Sequence, residues 1–177
     1  MSRKLIRFVV SVVLSVALPV SAADLLIKKD IVFEKSNAVF LQGGKIVQEK
    51  SALAADKGHC QLQKASGAAA RLNHDLTLKI TRMSSDFEKK QVAMGLQNSD
   101  GTDLTLDCVI PELVSVDQLS ATVLKKLFED EDWKQRYNQM NPDEQAEAMK
   151  VFMARAANQM LDEEVGLILM GAAELKF

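Results

Sequence analysis

The stretch that decides the fold is Leu104-Thr105-Leu106-Asp107-Cys108-Val109-Ile110, and the stretch that matches it is His59-Cys60-Gln61-Leu62-Gln63. Each carries one of the two cysteines of the chain, and each cysteine has the same parity as the apolar residues around it. Because alternate side chains of a strand point to opposite faces, both thiols are predicted to enter one core. We therefore predict a disulfide between Cys60 and Cys108.

The strand before Leu104 is predicted from the alternation of Val92, Met94 and Leu96. A two-residue turn at 100–101 would put the apolar residues of the two strands on opposite faces of the sheet, and their burial would be lost. A three-residue loop, 99–101, keeps them together, and Gly101 supplies the left-handed residue that ends such a loop. This register pairs Leu96 with Leu104, Met94 with Leu106 and Val92 with Cys108.

Further strands extend the β pattern over about 25–111. Gly43-Gly44 lies between two β-rich runs and predicts a two-residue hairpin loop, because both loop positions need positive φ. This hairpin pairs Leu41 with Ile46 and Phe40 with Val47. Another strand is predicted from the alternation of Leu76, Leu78 and Ile80. The predicted fold class is α+β, an antiparallel β-sandwich or open barrel followed by a C-terminal helical segment.

Helices are predicted after Pro111, where the apolar period changes from two to about 3.6. Ser115 and Gln118 have the spacing of a capping box, and 141–144 (Asn-Pro-Asp-Glu) is typical of a second helix start. Between them a short helix is predicted, with Asp132 at its start and Trp133, Tyr137 and Met140 at helical spacing. Residues 165–177 are apolar but fit neither period. The predicted buried stripes are Val116, Leu119, Val123 and Leu127 with Leu124 and Phe128, and then Ala146, Met149, Met153, Ala156 and Met160 with Phe152.

The first 22 residues have the three parts of a secretory signal, which are a basic start, an apolar run over 8–20 and small residues before a cut at Ala23. The apolar run of about 13 residues is shorter than the roughly 20 that a membrane span needs. No second apolar run approaches that length, so no span is predicted in the mature chain. The predicted organisation is a signal peptide over 1–22, an antiparallel β domain with the disulfide over 23–113, and a helical segment packed on the sheet over 114–177. The predicted location is the periplasm or the cell exterior.

The composition and residue spacing exclude some classes of partner and cofactor from the prediction. The chain has 22 Lys+Arg against 24 Asp+Glu, and no basic stripe interleaved with aromatics, so nucleic acid is not predicted as a partner. The candidate zinc ligands are His59, Cys60, His74 and Cys108, but their spacings match no usual ligand pair. Neither a metal nor another cofactor is therefore predicted. His74 shares the parity of Leu76 and is expected near the core, whereas His59 is expected to face solvent.

No catalytic motif appears and no catalytic residue is assigned. The function is therefore predicted from the apolar residues of the helices. A methionine-rich helix beside aromatic residues can bind varied apolar partners, although such a stripe also packs internally in many proteins. The prediction is a small exported binding module for a protein, peptide or apolar small ligand, with its oligomeric state open. The alternatives are a small exported hydrolase with a non-contiguous site, and a structural envelope component or outer-membrane barrel. The candidate binding residues are Trp133, Tyr137, Met149, Phe152, Met153 and Met160.

Overall fold

In a computed structural model, the protein is described over residues 24–34, 36–66 and 70–176, without the side chains of Val116, Leu127 and Phe128. The predicted signal peptide, 1–22, lies outside the described residues, as does Phe177. The described residues form two compact units. The sheet unit contains 24–113 and 161–176, and the helical unit contains 114–160.

Over the described residues, eight antiparallel strands of the sheet unit form a curled half-barrel, and two further strands pair separately. The strands are β1 (Asp24–Ile27), β2 (Ile31–Val32), β3 (Ala38–Gln42), β4 (Lys45–Val47), β5 (His59–Lys64), β6 (Arg71–Leu72), β7 (Thr77–Asp86), β8 (Gln91–Gln97), β9 (Asp103–Val109) and β10 (Ala173–Lys176). Their order in the sheet is β10-β1-β7-β8-β9-β5-β3-β4, and β2 pairs with β6. The predicted α+β class is confirmed, and the sheet is an open half-barrel. A 3-10 turn at Lys50–Ala52 precedes β5.

The predicted hairpin registers are confirmed. Strand β8 sets Met94 opposite Leu106, and the loop ends on Gly101 with a φ of +83°. In the other hairpin, β3 sets Leu41 opposite Ile46, with positive φ at both loop glycines. Because the registers of most neighbouring strands agree in parity, one face of the sheet is mainly apolar. The wholly buried residues of that face include Leu25, Val39, Leu41, Cys60, Leu62, Leu78 and Leu106.

The curl of the sheet has a local cause in β7. Its register against β8 shifts between Ile80 and Arg82, so that two consecutive residues of β7 are exposed. A bulge of this kind bends its strand and increases the twist. A Cβ atom on Gly95 would lie 2.6 Å from Cγ of Arg82, so glycine at this position makes room for the side chain that the bulge places across it.

The helices are α1 (Val116–Glu129), α2 (Glu131–Gln139) and α3 (Pro142–Leu169), and α3 begins in the helical unit and ends in the sheet unit. The predicted capping box of α1 is confirmed, since the Gln118 amide donates to Ser115 Oγ at 3.3 Å and the Ser115 amide donates to Gln118 Oε1 at 3.0 Å. The predicted start of α3 is also confirmed. Asn141 Oδ1 accepts the amides of Asp143 and Glu144, each at 3.0 Å.

Two helical predictions are corrected. The cap of α2 is Asp130 and not Asp132, because Trp133 N donates to Asp130 Oδ1 at 3.0 Å. Ala146 is exposed rather than buried. The buried side of α3 continues in steps of four residues, which drifts around the helix relative to the predicted stripe. Its buried members are Met149, Met153, Ala157, Leu161, Val165 and Leu169.

Residues 165–177, which the sequence left ambiguous, hold the end of α3 and the strand β10. The helix end is fixed within the sheet unit by the β3–β4 loop, where Gly44 N donates to Ile168 O at 3.1 Å. A Cβ atom on Gly44 would lie 1.9 Å from Met170 O, so no other residue fits this contact. Gly171 then turns the chain with a φ of +71°, and β10 pairs with β1.

Candidate functional site

An open groove lies between α2 and α3 in the helical unit. Its volume is about 630 Å³. We call it the helical groove. Its lining residues are Arg136, Gln139, Met140, Glu144, Glu147, Ala148, Val151 and Phe152. The four apolar members come from the end of α2 and one side of α3, and Val151 keeps 58% of its surface exposed.

Three aromatic rings support the groove. Trp133 and Tyr137 lie four residues apart on one side of α2, and their rings stack with centroids 4.8 Å apart. Phe152 meets Trp133 edge-on at 5.0 Å. These are favourable geometries for aromatic pairs. Tyr137 is buried, which raises the pKa of its hydroxyl. Phe152 therefore joins the groove lining to a packed cluster behind it.

The connection between α2 and α3 sets the shape of the groove. The chain leaves α2 at Gln139 and begins α3 at Pro142, where Asn141 is the cap. Gln145 Nε2 donates to Tyr137 O at 2.8 Å, which joins the first turn of α3 to the last turn of α2. The angle between the helices is thus held by a cap and a side-chain bond, rather than by the apolar period alone.

The groove rim carries charges of both signs. The Glu144 carboxylate accepts the Asn141 amide at 2.9 Å, and Glu147 lies 3.5 Å from Lys150. On the opposite side, Arg136 Nε donates to Asp132 O at 3.3 Å. The pair of Glu147 and Lys150 is exposed and contributes little to stability, so a ligand can displace it at low cost. The arrangement suits an apolar side chain with charged neighbours.

The six predicted binding residues have different positions in this unit. Phe152 lines the groove, and Trp133 and Tyr137 form the aromatic cluster that supports it. Met149 and Met153 are buried, and Met160 is half-buried, so the exposed apolar surface belongs to other residues. Sequence reasoning missed the rim charges and Val151. Val151 could have been found in the sequence, because it is an apolar residue of the helix that lies outside the predicted buried stripe.

Among the residues that the structure describes, the histidines form no catalytic triad with their neighbours. Asp30 Oδ1 accepts both the backbone amide of His74, at 2.8 Å, and Nδ1 of its ring, at 3.1 Å. Arg71 pairs with the other carboxylate oxygen. The bond from the His74 amide, followed by those from Arg71 and the His74 ring, lowers the pKa of Asp30 to about 2. Over the described residues, the polar partners of His74 are this acid and Asp75, and neither supplies the hydroxyl or thiol nucleophile of a triad.

The expectation that His74 lies near the core is wrong, since its side chain is 68% exposed. The parity shared with Leu76 does not extend back to His74, because β7 begins only at Thr77 and a turn with a φ of +62° at Asp75 separates His74 from it. His59 is half-buried on the face opposite Cys60, with its ring 6.5 Å from that of Phe40. His59 belongs to β5, whereas His74 lies in the turn between β6 and β7, and the two share no polar partner among the described residues.

The disulfide between Cys60 and Cys108 is confirmed. The two residues lie directly opposite each other on β5 and β9, with their Cα atoms 3.9 Å apart. Both sulfurs are occupied, so neither is a thiolate ligand. Within the described ranges, no group of three or more His, Cys, Asp and Glu side chains could hold a metal ion.

Fold and site together define an α+β half-barrel domain with one disulfide and C-terminal helices. No protein-family model, curated protein or solved structure matches the chain. None of the described helices is both long enough and apolar enough to cross a membrane. The inference of function therefore depends on the residues of the chain itself.

Proposed function

We propose that the protein is a small exported binding module that holds a segment of another protein in the helical groove. The observation that carries this proposal is the exposure of an apolar floor beside a fixed aromatic cluster. Val151 is 58% exposed, whereas the neighbouring Tyr137 is 9% exposed. An exposed apolar surface beside a packed cluster is a common feature of interaction sites.

The lining indicates the chemistry of the partner. Met140, Val151 and Phe152 suit an aliphatic or aromatic anchor residue. Glu144 and Glu147 lie three residues apart on α3 and present two carboxylates along one side of the groove. They favour a partner in which a Lys or Arg follows the anchor, because opposite charges select the orientation of a bound segment. A single anchor of this size predicts weak, transient binding.

The exported location is part of the proposal. A structural disulfide persists in oxidising compartments and is rare in the cytosol, so the bond between Cys60 and Cys108 supports export. The predicted signal at 1–22 gives independent support from the sequence. Reduced protein recovered from the cytosol, with no exported form, would contradict this part of the proposal.

The test is the capture of peptides that carry an apolar anchor followed by Lys or Arg. Trp133 is the only tryptophan of the chain and touches the groove through Phe152, so its fluorescence reports occupancy. Val151→Asp is expected to weaken capture by at least about tenfold, because it puts a charge on the groove floor. Leu167→Asp is the matched control, since Leu167 is also 58% exposed on α3 but does not line the groove.

Three outcomes would overturn the proposal. Equal losses of peptide binding in Val151→Asp and Leu167→Asp would show that the groove is not the binding site. Binding of apolar small molecules but not of peptides would replace the partner class. Hydrolytic turnover that is lost in His74→Ala would show that the protein is an enzyme, with the Asp30 pair as part of its site.

A further inference from the structure

The strand β10 has an open edge among the described strands. It is the last strand on its side of the sheet and pairs with β1. Lys28 N donates to Ala172 O at 2.9 Å, just before the strand begins. Because the hydrogen bonds of an antiparallel ladder alternate along the strand, Glu174 and Lys176 face β1, whereas Leu175 directs its N–H and C=O to the open edge.

A pocket of about 450 Å³ lies along this edge, and we call it the β10 slot. One side of the slot is β10 itself. The other side includes Asp162, Gly166 and Met170, which follow one another at four-residue spacing on one side of α3 and just past its end. A Cβ atom on Gly166 would meet nothing within 4 Å, and Met170 is 58% exposed. The slot thus combines free backbone groups with an apolar side.

The sequence of β10 is complementary to itself. It alternates Ala173, Glu174, Leu175 and Lys176, so that the two charges lie on one face and the apolar residues on the other. In an antiparallel pairing of two such strands with Leu175 at the two-fold axis, Glu174 of each copy lies opposite Lys176 of the other. Leu175 of each copy also exchanges its two backbone bonds with Leu175 of the other copy.

We propose that a second copy of this chain pairs with β10, so that the two sheets continue into one another across a two-fold axis. An edge lysine usually prevents such pairing, because it meets no countercharge. Here Glu174 of the second copy supplies the countercharge for Lys176. The apolar faces of the two sheets then lie on the same side, and Leu175 of the second copy enters the β10 slot beside Met170.

The test is sedimentation equilibrium of the protein, expressed from its whole sequence and purified after export. Glu174→Lys and Lys176→Glu each convert the two symmetry-related attractive pairs into repulsive ones. Each variant is expected to weaken dimerisation about 30-fold. The double variant E174K/K176E restores opposite charges, so its dimerisation is expected to return to within a few-fold of the original.

A matched control separates this role from the ion pair within one copy. Lys28→Ala removes the 2.8 Å contact between Lys28 and Glu174 but leaves both charges of β10 in place. This variant is expected to dimerise like the original protein, with an unchanged circular dichroism spectrum. A monomer at every concentration, or a dimer that both single charge reversals leave unchanged, would overturn the proposal.

Cross-linking provides a second test of the register. The native cysteines are bonded to each other, so an introduced cysteine is the accessible thiol. Tagged Glu174→Cys mixed with untagged Lys176→Cys is expected to oxidise mainly to the mixed dimer, because these positions face each other closely across the two-fold axis. Equal amounts of the mixed and the like-with-like dimers would contradict the register.

Discussion

The sheet unit and the helical unit are ordered by different means. In the sheet unit, residues distant in sequence are set opposite one another, as in the pair of Leu62 and Leu106, both wholly buried. In the helical unit, the starts of α1, α2 and α3 are set by capping residues within four positions of the bonds they make. A residue in a long-range strand pair can be replaced only by one that fits its partner. A helix that is fixed by a cap at its start can keep one side exposed for a binding partner. The difference places the scaffold in the sheet and the proposed binding groove on the helices.

The largest test of this contrast is removal of the disulfide. The bond joins residues 48 positions apart, and Cys60→Ala with Cys108→Ala is expected to lower the free energy of unfolding by about 4 kcal/mol in the chain-entropy model. The closed loop lies entirely in the sheet unit. Amide hydrogen exchange is therefore expected to accelerate more in β5, β8 and β9 than in α2. Equal acceleration in both units would show that the bond does not act on the sheet selectively.

The next effect concerns the loop that fixes the end of α3. Gly44→Ala is expected to lower the free energy of unfolding by about 3 kcal/mol, because the new methyl group meets Met170 O and the φ is +74°. Gly43→Ala is the matched control. Its φ is +54°, but a Cβ atom there meets nothing within 4 Å, so the expected loss is about 1 kcal/mol.

Urea denaturation of these two glycine variants gives both values. A loss in Gly44→Ala no larger than that in Gly43→Ala would show that the helix end is free to move away from the loop. The contrast between the units would then be weaker, because the end of α3 would behave like an exposed helix terminus.

The smallest effect is an acid-dependent loss of stability in the sheet unit. The pKa of Asp30 is lowered from 3.8 to about 2, so its contribution is present above pH 3.8 and is lost as the pH falls toward 2. In Asp30→Asn this loss is expected to be absent, with a lower stability at neutral pH. Denaturation curves between pH 2 and 5, referenced to Asp56→Asn at an exposed position of the same unit, measure the difference. An identical slope in Asp30→Asn and in the original protein would refute this assignment.

Much of the sheet could be predicted from the sequence, because the alternation within each strand and the glycines of each hairpin loop are visible in short stretches. Alternating apolar residues fix which face of each strand is buried, and the loop glycines at 43–44 and 101 fix the register of two hairpins. The disulfide followed from the same parity. The bulge in β7 could not be predicted, since it depends on the packing of Arg82 across Gly95 in the neighbouring strand.

The strand β10 and the helical groove could not be predicted for a related reason. The strand β10 has four residues, Ala-Glu-Leu-Lys, and two apolar residues are too few to indicate a strand. It forms because β1 pairs with it along its whole length. The groove depends on the angle between α2 and α3. That angle is set by the bond from Gln145 to Tyr137 and by the cap at Asn141, whereas the apolar period describes each helix separately.

The position of the disulfide also determines how the protein responds to a pulling force. When the chain is pulled by its two ends until the sheet has come apart, the bond carries the force from Cys60 to Cys108, and the segment between them, which contains β6, β7 and β8, stays closed. The shielded segment corresponds to a hidden contour length of roughly 170 Å, from a sequence separation of 48 residues. Stretched to its full length in the oxidised state, the molecule is expected to extend by that much less than in the reduced state, because the bond keeps the loop between the cysteines closed.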